Sequence, residues 1–150
     1  MGSRSVDTPI GTLWLSRDEH GISAIDFHGQ RSAWSADPLL AEAEAQLHAY
    51  FAGERHRFEL PLSPRGTAFQ RGVWAAVEAI PYGRTTTYSA LAATLGRPRA
   101  CRAVGAANGR NPLPVVVPCH RVLGARGGLT GYGGGLGRKR ALLDLESSGG

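Results

Sequence analysis

The sequence predicts an α+β fold in two parts, a small sheet with one helix over residues 1–62 and a mostly helical domain with a helix-turn-helix over residues 63–150. Three observations predict it. Short alternating apolar runs fill the first part, apolar residues at helical spacing fill the second, and the charge divides between the two. Residues 1–62 carry five arginines against nine aspartates and glutamates, whereas residues 63–140 carry twelve Arg and Lys against Glu78 alone. The net charge of +5 therefore belongs to the second part, as expected of a surface that meets phosphates. Arginine outnumbers lysine 16 to 1, a bias that genome composition could produce, but such a bias does not empty 78 residues of all acids but one.

At 150 residues the chain is long enough to bury a modest core. No apolar run nears the length of a membrane span and no signal-peptide pattern is present, so the expected location is cytoplasmic, with access to DNA and no membrane partner. A disulfide between the two cysteines, Cys101 and Cys119, is conceivable, but in that compartment both are expected to be reduced.

In chain order, Met1-Gly2-Ser3 is set aside as a cloning remnant. Ile10 to Leu15 and Ile22 to Phe27 read as strands, with Asp18-Glu19-His20-Gly21 as the turn between them. Residues 28–38 form a loop. Leu40, Ala43, Leu47, Tyr50 and Phe51 fall at helical spacing up to Gly53, and Phe58, Leu60 and Leu62 alternate as a strand. His20, His28, His48 and His56 read as scattered surface residues.

Ser63-Pro64-Arg65-Gly66 marks the boundary. Thr67 and Gln70 form a capping box that opens a helix with Phe69, Val73, Val77 and Ile80 on one face, Trp74 in the core, and Pro81-Tyr82-Gly83 as its stop. Thr85-Thr86-Thr87 leads into a short helix from Tyr88 to Leu95, ended by Gly96. After Arg97-Pro98 a second helix runs from about Arg99 to Ala107 and closes at Asn108-Gly109, and the pair has the spacing of a helix-turn-helix. Ala103, Gly105, Ala106 and Ala107 make that second helix slim, which suits close approach to a groove or tight packing in a core. A last helix, Arg138 to Glu146, is expected to bury Leu142, Leu143 and Leu145, with Ser147 to Gly150 fraying.

The chemistry concentrates in Val115-Val116-Val117-Pro118-Cys119-His120-Arg121-Val122. Three β-branched residues and a proline predict a buried extended segment that ends on a thiol. A thiol reacts as thiolate, which nearby cations, histidine or a helix N-terminus favour. Neighbours in an extended segment point to opposite sides, so adjacency alone does not make His120 the base. A Cys-His pair can equally be a packed thiol beside a polar histidine. Asn111, with Pro112 and Pro114, supplies turn chemistry ahead of it. Residues 124–137 hold eight glycines, anchored by Leu129, Tyr132 and Leu136; a phosphate-cradling loop is the weaker reading, because its lysine and hydroxyl are out of register.

The run Asn111-Pro112-Leu113-Pro114-Val115-Val116-Val117-Pro118-Cys119-His120-Arg121-Val122 resembles the active-site signature of the O6-alkylguanine-DNA alkyltransferases, the direct-reversal repair proteins. Gly66-Thr67-Ala68-Phe69-Gln70, Val73-Trp74, Ile80-Pro81-Tyr82-Gly83, Arg102-Ala103-Val104-Gly105 and Leu129-Thr130-Gly131-Tyr132-Gly133-Gly134-Gly135-Leu136 follow the family's order and spacing, so the resemblance is close from about residue 63 to 146 and looser before.

The resemblance implies a ribonuclease H-like first domain and a winged-helix-like second one. It implies irreversible transfer of an alkyl group from guanine O6, and from thymine O4, to Cys119 once the base has been flipped out through the minor groove. Glu146 and His120 would relay activation to the thiol by way of water, raising its thiolate fraction at neutral pH, while Tyr132 would donate to the departing guanine and Asn111 would brace the segment. Arg102 would fill the vacated stack and Tyr88 would crowd the neighbouring phosphate. Arg99 and Arg97 would contact phosphates, and Ala103 and Ala106 would let the helix approach the groove. Pro114, Val122, Gly133 and Gly134 would line the base pocket. The expected partner is double-stranded DNA containing O6-alkylguanine, bound by a monomer with cooperativity left open. No cofactor is expected. No metal is expected either: some relatives hold zinc near the N-terminus through cysteines, and this chain has none before Cys101. Two rival classes share some of these features. A non-catalytic lesion binder would lack Cys119, and a redox-switched DNA binder would need Cys101 and Cys119 as a pair.

Overall fold

The computed structural model describes residues 2–29, 34–124, 128, 132 and 134–148. The chain divides into two compact units, Met1–Arg65 and Gly66–Gly150.

In the N-terminal unit, β1 (Ser3–Thr8), β2 (Gly11–Arg17) and β3 (Ile22–Asp26) form an antiparallel sheet in that order. The first strand escapes the sequence reading because Val6 is its one large apolar residue. Its other inward position is Arg4, buried by an ion pair to Glu44 and by Trp34, whose ring lies 3.7 Å from the guanidinium carbon. Ser3, set aside above, pairs with Ser16 as the first residue of that strand. At the β2–β3 turn the Asp18 carboxylate accepts from the His20 and Gly21 amides and from Ser63 Oγ at 2.6 Å, and the Ser63 hydrogen bond leads in drawing its pKa down to about 2. Gly21 is required here, since a Cβ would stand 2.3 Å from the Pro61 carbonyl oxygen.

Helix α1 (Pro38–Phe51) starts at Asp37, whose carboxylate accepts from the Leu39 and Leu40 amides, with proline in the first turn. Leu40, Ala43, Leu47 and Tyr50 meet Val6, Leu13, Leu15, Ile22 and Ile25 in the core. The strand expected at Phe58 to Leu62 does not form: Leu62 makes one isolated bridge to Ile22. The buried Gln46 side chain replaces a ladder there, accepting from the Glu59 amide at 2.9 Å and donating to its carbonyl at 3.1 Å.

The C-terminal unit opens with α2 (Ala68–Glu78), and both halves of the capping box are present. Val73, Trp74 and Val77 are buried, and Trp74 Nε1 donates to the Ala107 carbonyl at 2.8 Å. Two short strands that the sequence reading missed, β4 (Thr86–Thr87) and β5 (Val122–Leu123), pair in parallel. Thr87 then caps α3 (Tyr88–Thr94) by accepting from the Ala90 amide. Helix α4 (Cys101–Gly109) begins two residues later than expected, because Arg97 to Ala100 forms a hydrogen-bonded turn. Its small residues divide between two faces. Val104 and Ala107 are buried and Gly105 leaves room beside the Tyr88 ring, while Arg102, Ala103 and Ala106 are exposed.

The last helix, α5 (Leu136–Ser148), is longer than expected at both ends, and Ser147 and Ser148 are helical, their hydroxyls donating to the Asp144 carbonyl. Its buried residues are Lys139, Leu142 and Glu146, whereas Leu143 and Leu145 are half-buried. These residues are spaced at i, i+3 and i+7 along one helical stripe, which here is partly polar. No helix among the described residues is long and apolar enough to cross a membrane.

Candidate active site

The reactive segment is buried from Leu113 to Val122, but it is not extended. The chain turns back on itself, Val117 N donating to the Leu113 carbonyl, and Cys119–Arg121 forms a single 3-10 turn. Val115 sits at φ +76°, a region a β-branched residue seldom enters and one that costs on the order of 1–3 kcal/mol. Asn111 holds this shape, accepting from the Leu113 amide at 2.9 Å and donating to the Val117 carbonyl at 2.8 Å. From α4, Asn108 Nδ2 reaches the Cys119 carbonyl at 3.4 Å.

Because a 3-10 turn has about three residues per revolution, Cys119, His120 and Arg121 point three different ways. His120 and Arg121 nevertheless meet one carboxylate, brought in by α5. His120 Nε2 lies 2.8 Å from Glu146 Oε2, Arg121 Nε and Nη2 donate to Oε1 and Oε2 at 2.8 Å each, and Arg121 Nη1 donates to the Ile80 carbonyl at 2.6 Å. All three residues are buried, so Glu146 does not merely end a surface helix. A carboxylate held by an arginine only accepts, which puts the His120 proton on Nε2 and leaves Nδ1 as a lone pair. Among the described residues that Nδ1 is buried with no hydrogen-bond partner.

Cys119 is 6% exposed, and burial pushes the pKa of its thiol up, against the smaller lowering influences of the Asn111 hydrogen bond and the Lys139 charge. Desolvation is thus the leading influence on the thiol at rest. Burial likewise lowers the pKa of His120 and keeps it neutral. Burial thus favours the uncharged form of both groups at rest, the thiol of Cys119 and the neutral imidazole of His120. Lys139 Nζ donates to the Val122 carbonyl at 2.8 Å, and its pKa falls on burial. Burial, with the Cys119 charge next, raises that of Tyr132, whose hydroxyl is buried.

Cys119, His120, Glu146 and Asn111 are thus brought together. Pro114 and Val122 are buried in the same segment, Gly134 is half-buried in the run that leads to α5, and Gly133 lies outside the described residues, as do Leu129 and Gly131. On the helix-turn-helix, Arg97, Arg99, Arg102, Ala103 and Ala106 are exposed and Tyr88 is half-buried. Two of the twelve cations assigned above to the phosphate-facing surface, Arg121 and Lys139, are buried in this site instead. Cys101 and Cys119 are both free thiols. Lys139, Asn108 and the Arg121–Glu146 pairing were not read from the sequence. The signal for Lys139 was present, since it stands seven residues before Glu146 on one helical face.

Comparison with known proteins agrees with the geometry. A family model described as 6-O-methylguanine DNA methyltransferase, DNA binding domain, matches residues 68–148, and one described as 6-O-methylguanine DNA methyltransferase, ribonuclease-like domain, matches residues 3–64. A methylated-DNA--protein-cysteine methyltransferase of Mycobacterium tuberculosis is 49% identical over 151 residues, which cover 97% of this chain and 92% of the relative. One from Methanosarcina acetivorans is 48% identical over 149 residues, covering 95% and 96%. The crystal structure of Mycobacterium tuberculosis OGT in complex with DNA matches with a TM-score of 0.90 at 49% identity, over 99% of this chain and 94% of that one. With both units matched and relatives near half identity along almost the whole length, the chain belongs to the 6-O-methylguanine DNA methyltransferase family.

Proposed function

We propose that this chain repairs DNA by direct reversal, moving an alkyl group from guanine O6, or thymine O4, onto Cys119 and keeping it there. Alkyl transfer from methylated DNA to a protein cysteine is the family's activity, and the chain is an enzyme of that kind with DNA as its partner. The observation that carries the assignment to Cys119 is the neighbouring imidazole, fixed by Glu146 at Nε2 and with Nδ1 unpartnered among the described residues.

Guanine O6 is hidden in the stack, so the nucleotide is turned out at a cost of a few kcal/mol. Arg102 fills the gap from α4, whose exposed Ala103 and Ala106 let the backbone approach the minor groove. Tyr88 crowds the adjacent phosphate, Arg97 and Arg99 hold phosphates, and the base rests against Pro114 and Val122. The thiol proton passes to His120 Nδ1, directly or through water, and sulfur attacks the alkyl carbon. The S–C bond forms as the C–O6 bond breaks, and the purine leaves as an anion that Tyr132 hydrogen-bonds and that finally takes the proton from His120. Alkylated lesion and thiol become guanine and thioether. A thioether is a poor leaving group, so each molecule acts once. The protein works as a monomer in the cytoplasm, without a cofactor.

The test is a titration of a duplex carrying a single O6-methylguanine. Lesion loss should plateau at one per protein molecule, and continued loss beyond that ratio contradicts the proposal.

A further inference from the structure

We infer that Arg121 is a positioning residue for the proton acceptor: by holding both oxygens of Glu146 it fixes the carboxylate that orients His120 and sets the pH at which alkyl transfer becomes fast. The inference rests on the assignment of His120 as the group that takes the thiol proton.

Three contacts of 2.8 Å converge on Glu146, two from Arg121 and one from His120. The carboxylate is 3% exposed and the imidazole fully buried, so little solvent screens them. A lone carboxylate at that distance would stabilise the imidazolium and oppose the burial that favours the neutral ring. An imidazolium has no lone pair to offer a thiol. The Arg121 fork makes the carboxylate part of a neutral pair, and Oε2 accepts from both Arg121 Nη2 and His120 Nε2. Fixed tautomer and absent charge together are what a resting base requires.

Of the remaining groups around His120, the Lys139 charge also disfavours the imidazolium, less than that of Arg121. From α5 come Glu146 and Lys139, and the Lys139 ammonium is anchored on the Val122 carbonyl. From its own turn come Cys119 and Arg121. From the loop after α2 comes Tyr82, whose ring lies 5.7 Å from the Arg121 guanidinium carbon, and from the run before α5 comes Tyr132, whose hydroxyl is buried. Helix α2 presents Val73, Trp74 and Val77, while its Arg71 and Glu78 are exposed. Arg121 is held on both oxygens of Glu146.

Nitrogen-15 NMR of the intact protein tests the resting state without substrate: His120 should be neutral and protonated on Nε2 at neutral pH. In Arg121→Met the same ring should be an imidazolium, and the acid limb of single-turnover transfer should move up by about one pH unit or more, a tenfold loss below the new midpoint that recovers at alkaline pH. Removing the carboxylate as well, in Arg121→Met/Glu146→Gln, leaves no lone buried charge and should bring the midpoint back toward wild type, which also covers the case in which the single variant fails to fold. A wild-type midpoint in Arg121→Met with only a lower plateau would make the arginine a fold element and overturn the inference, as would a protonated or Nδ1–H His120 in the wild type. If His120→Ala transferred alkyl groups at the wild-type rate, the assignment of the base would fail instead, and the NMR measurement would still decide what Arg121 does to the ring.

Discussion

Glu146→Gln exchanges one oxygen for an NH2 group and removes the charge on which the site is built. The carboxylate accepts from His120 Nε2, Arg121 Nε and Arg121 Nη2, each at 2.8 Å, in a position that is 3% exposed. An amide has one accepting oxygen, so at least one of those donors faces an NH2 group, and Arg121 becomes a buried cation with the Ile80 carbonyl as its remaining strong acceptor. Breaking a buried pair in this way costs about 3–5 kcal/mol. For a chain of this size each kcal/mol moves Tm by about 2–4 °C, so the variant should melt roughly 6–20 °C lower. His120 loses the partner that fixes its tautomer, and single-turnover transfer at neutral pH should slow on the order of 10²-fold, the low end of a general base's contribution. Affinity for undamaged duplex should hardly change, because Arg97, Arg99 and Arg102 are exposed elsewhere. His120→Ala should slow the reaction to a similar degree, and the double variant should lose little more than either single one, since groups acting as a unit are not additive. Thermal melts and quenched mass spectrometry provide both measurements. A Glu146→Gln protein with wild-type Tm and wild-type rate would refute the reasoning.

Folding stability should be limited by pH on both sides. His120 is buried neutral with its pKa below the ordinary 6.5, so its contribution is present above that pH and is lost as pH falls; Cys119 is buried as thiol with its pKa above the ordinary 9.0, so its contribution is present below that pH and is lost as pH rises. Melts across pH should show a plateau between those limits, and a maximum outside it would contradict the assignment of both groups as uncharged. Arg102→Ala should slow repair of duplex DNA far more than reaction with a free O6-alkylguanine base, which needs no flipping; equal losses would mean that Arg102 does not occupy the gap. Affinity for undamaged duplex should fall steeply with salt, and Arg99→Gln should reduce the log–log slope by about one, whereas salt-independent binding would remove the electrostatic argument.

The fold was legible wherever an apolar period or a cap carried it. Thr67 and Gln70 announced α2, Leu40 to Tyr50 announced α1, and Gly96 marked the end of α3. Reading failed where polar side chains took over backbone or core duties. Arg4 stands at an inward strand position because Glu44 and Trp34 receive it, partners distant in sequence, and β1 went unread. Gln46 satisfies the Glu59 backbone, so the alternation of Phe58, Leu60 and Leu62 produced no strand. Val115 to Val117 looked extended by propensity, but Asn111 and the prolines around the segment impose a turn that a local pattern does not encode. In the site, the sequence motif located Cys119, His120 and Asn111, and the family's pattern pointed to Glu146. Charge was harder to place. Arg121 and Lys139 counted as surface cations until the α5 stripe put Lys139 and Glu146 inward, and the state of the thiol depended on burial, which no spacing reveals.

The central claim is that Cys119 itself takes the alkyl group and keeps it. Intact mass followed by peptide fragmentation, before and after mixing with duplex DNA containing one O6-methylguanine, tests it directly. One added methyl group per molecule, located on Cys119 and absent in Cys119→Ser, is the predicted result; a methyl group on Cys101 or elsewhere, or an unmodified protein after the lesion has gone, would contradict it.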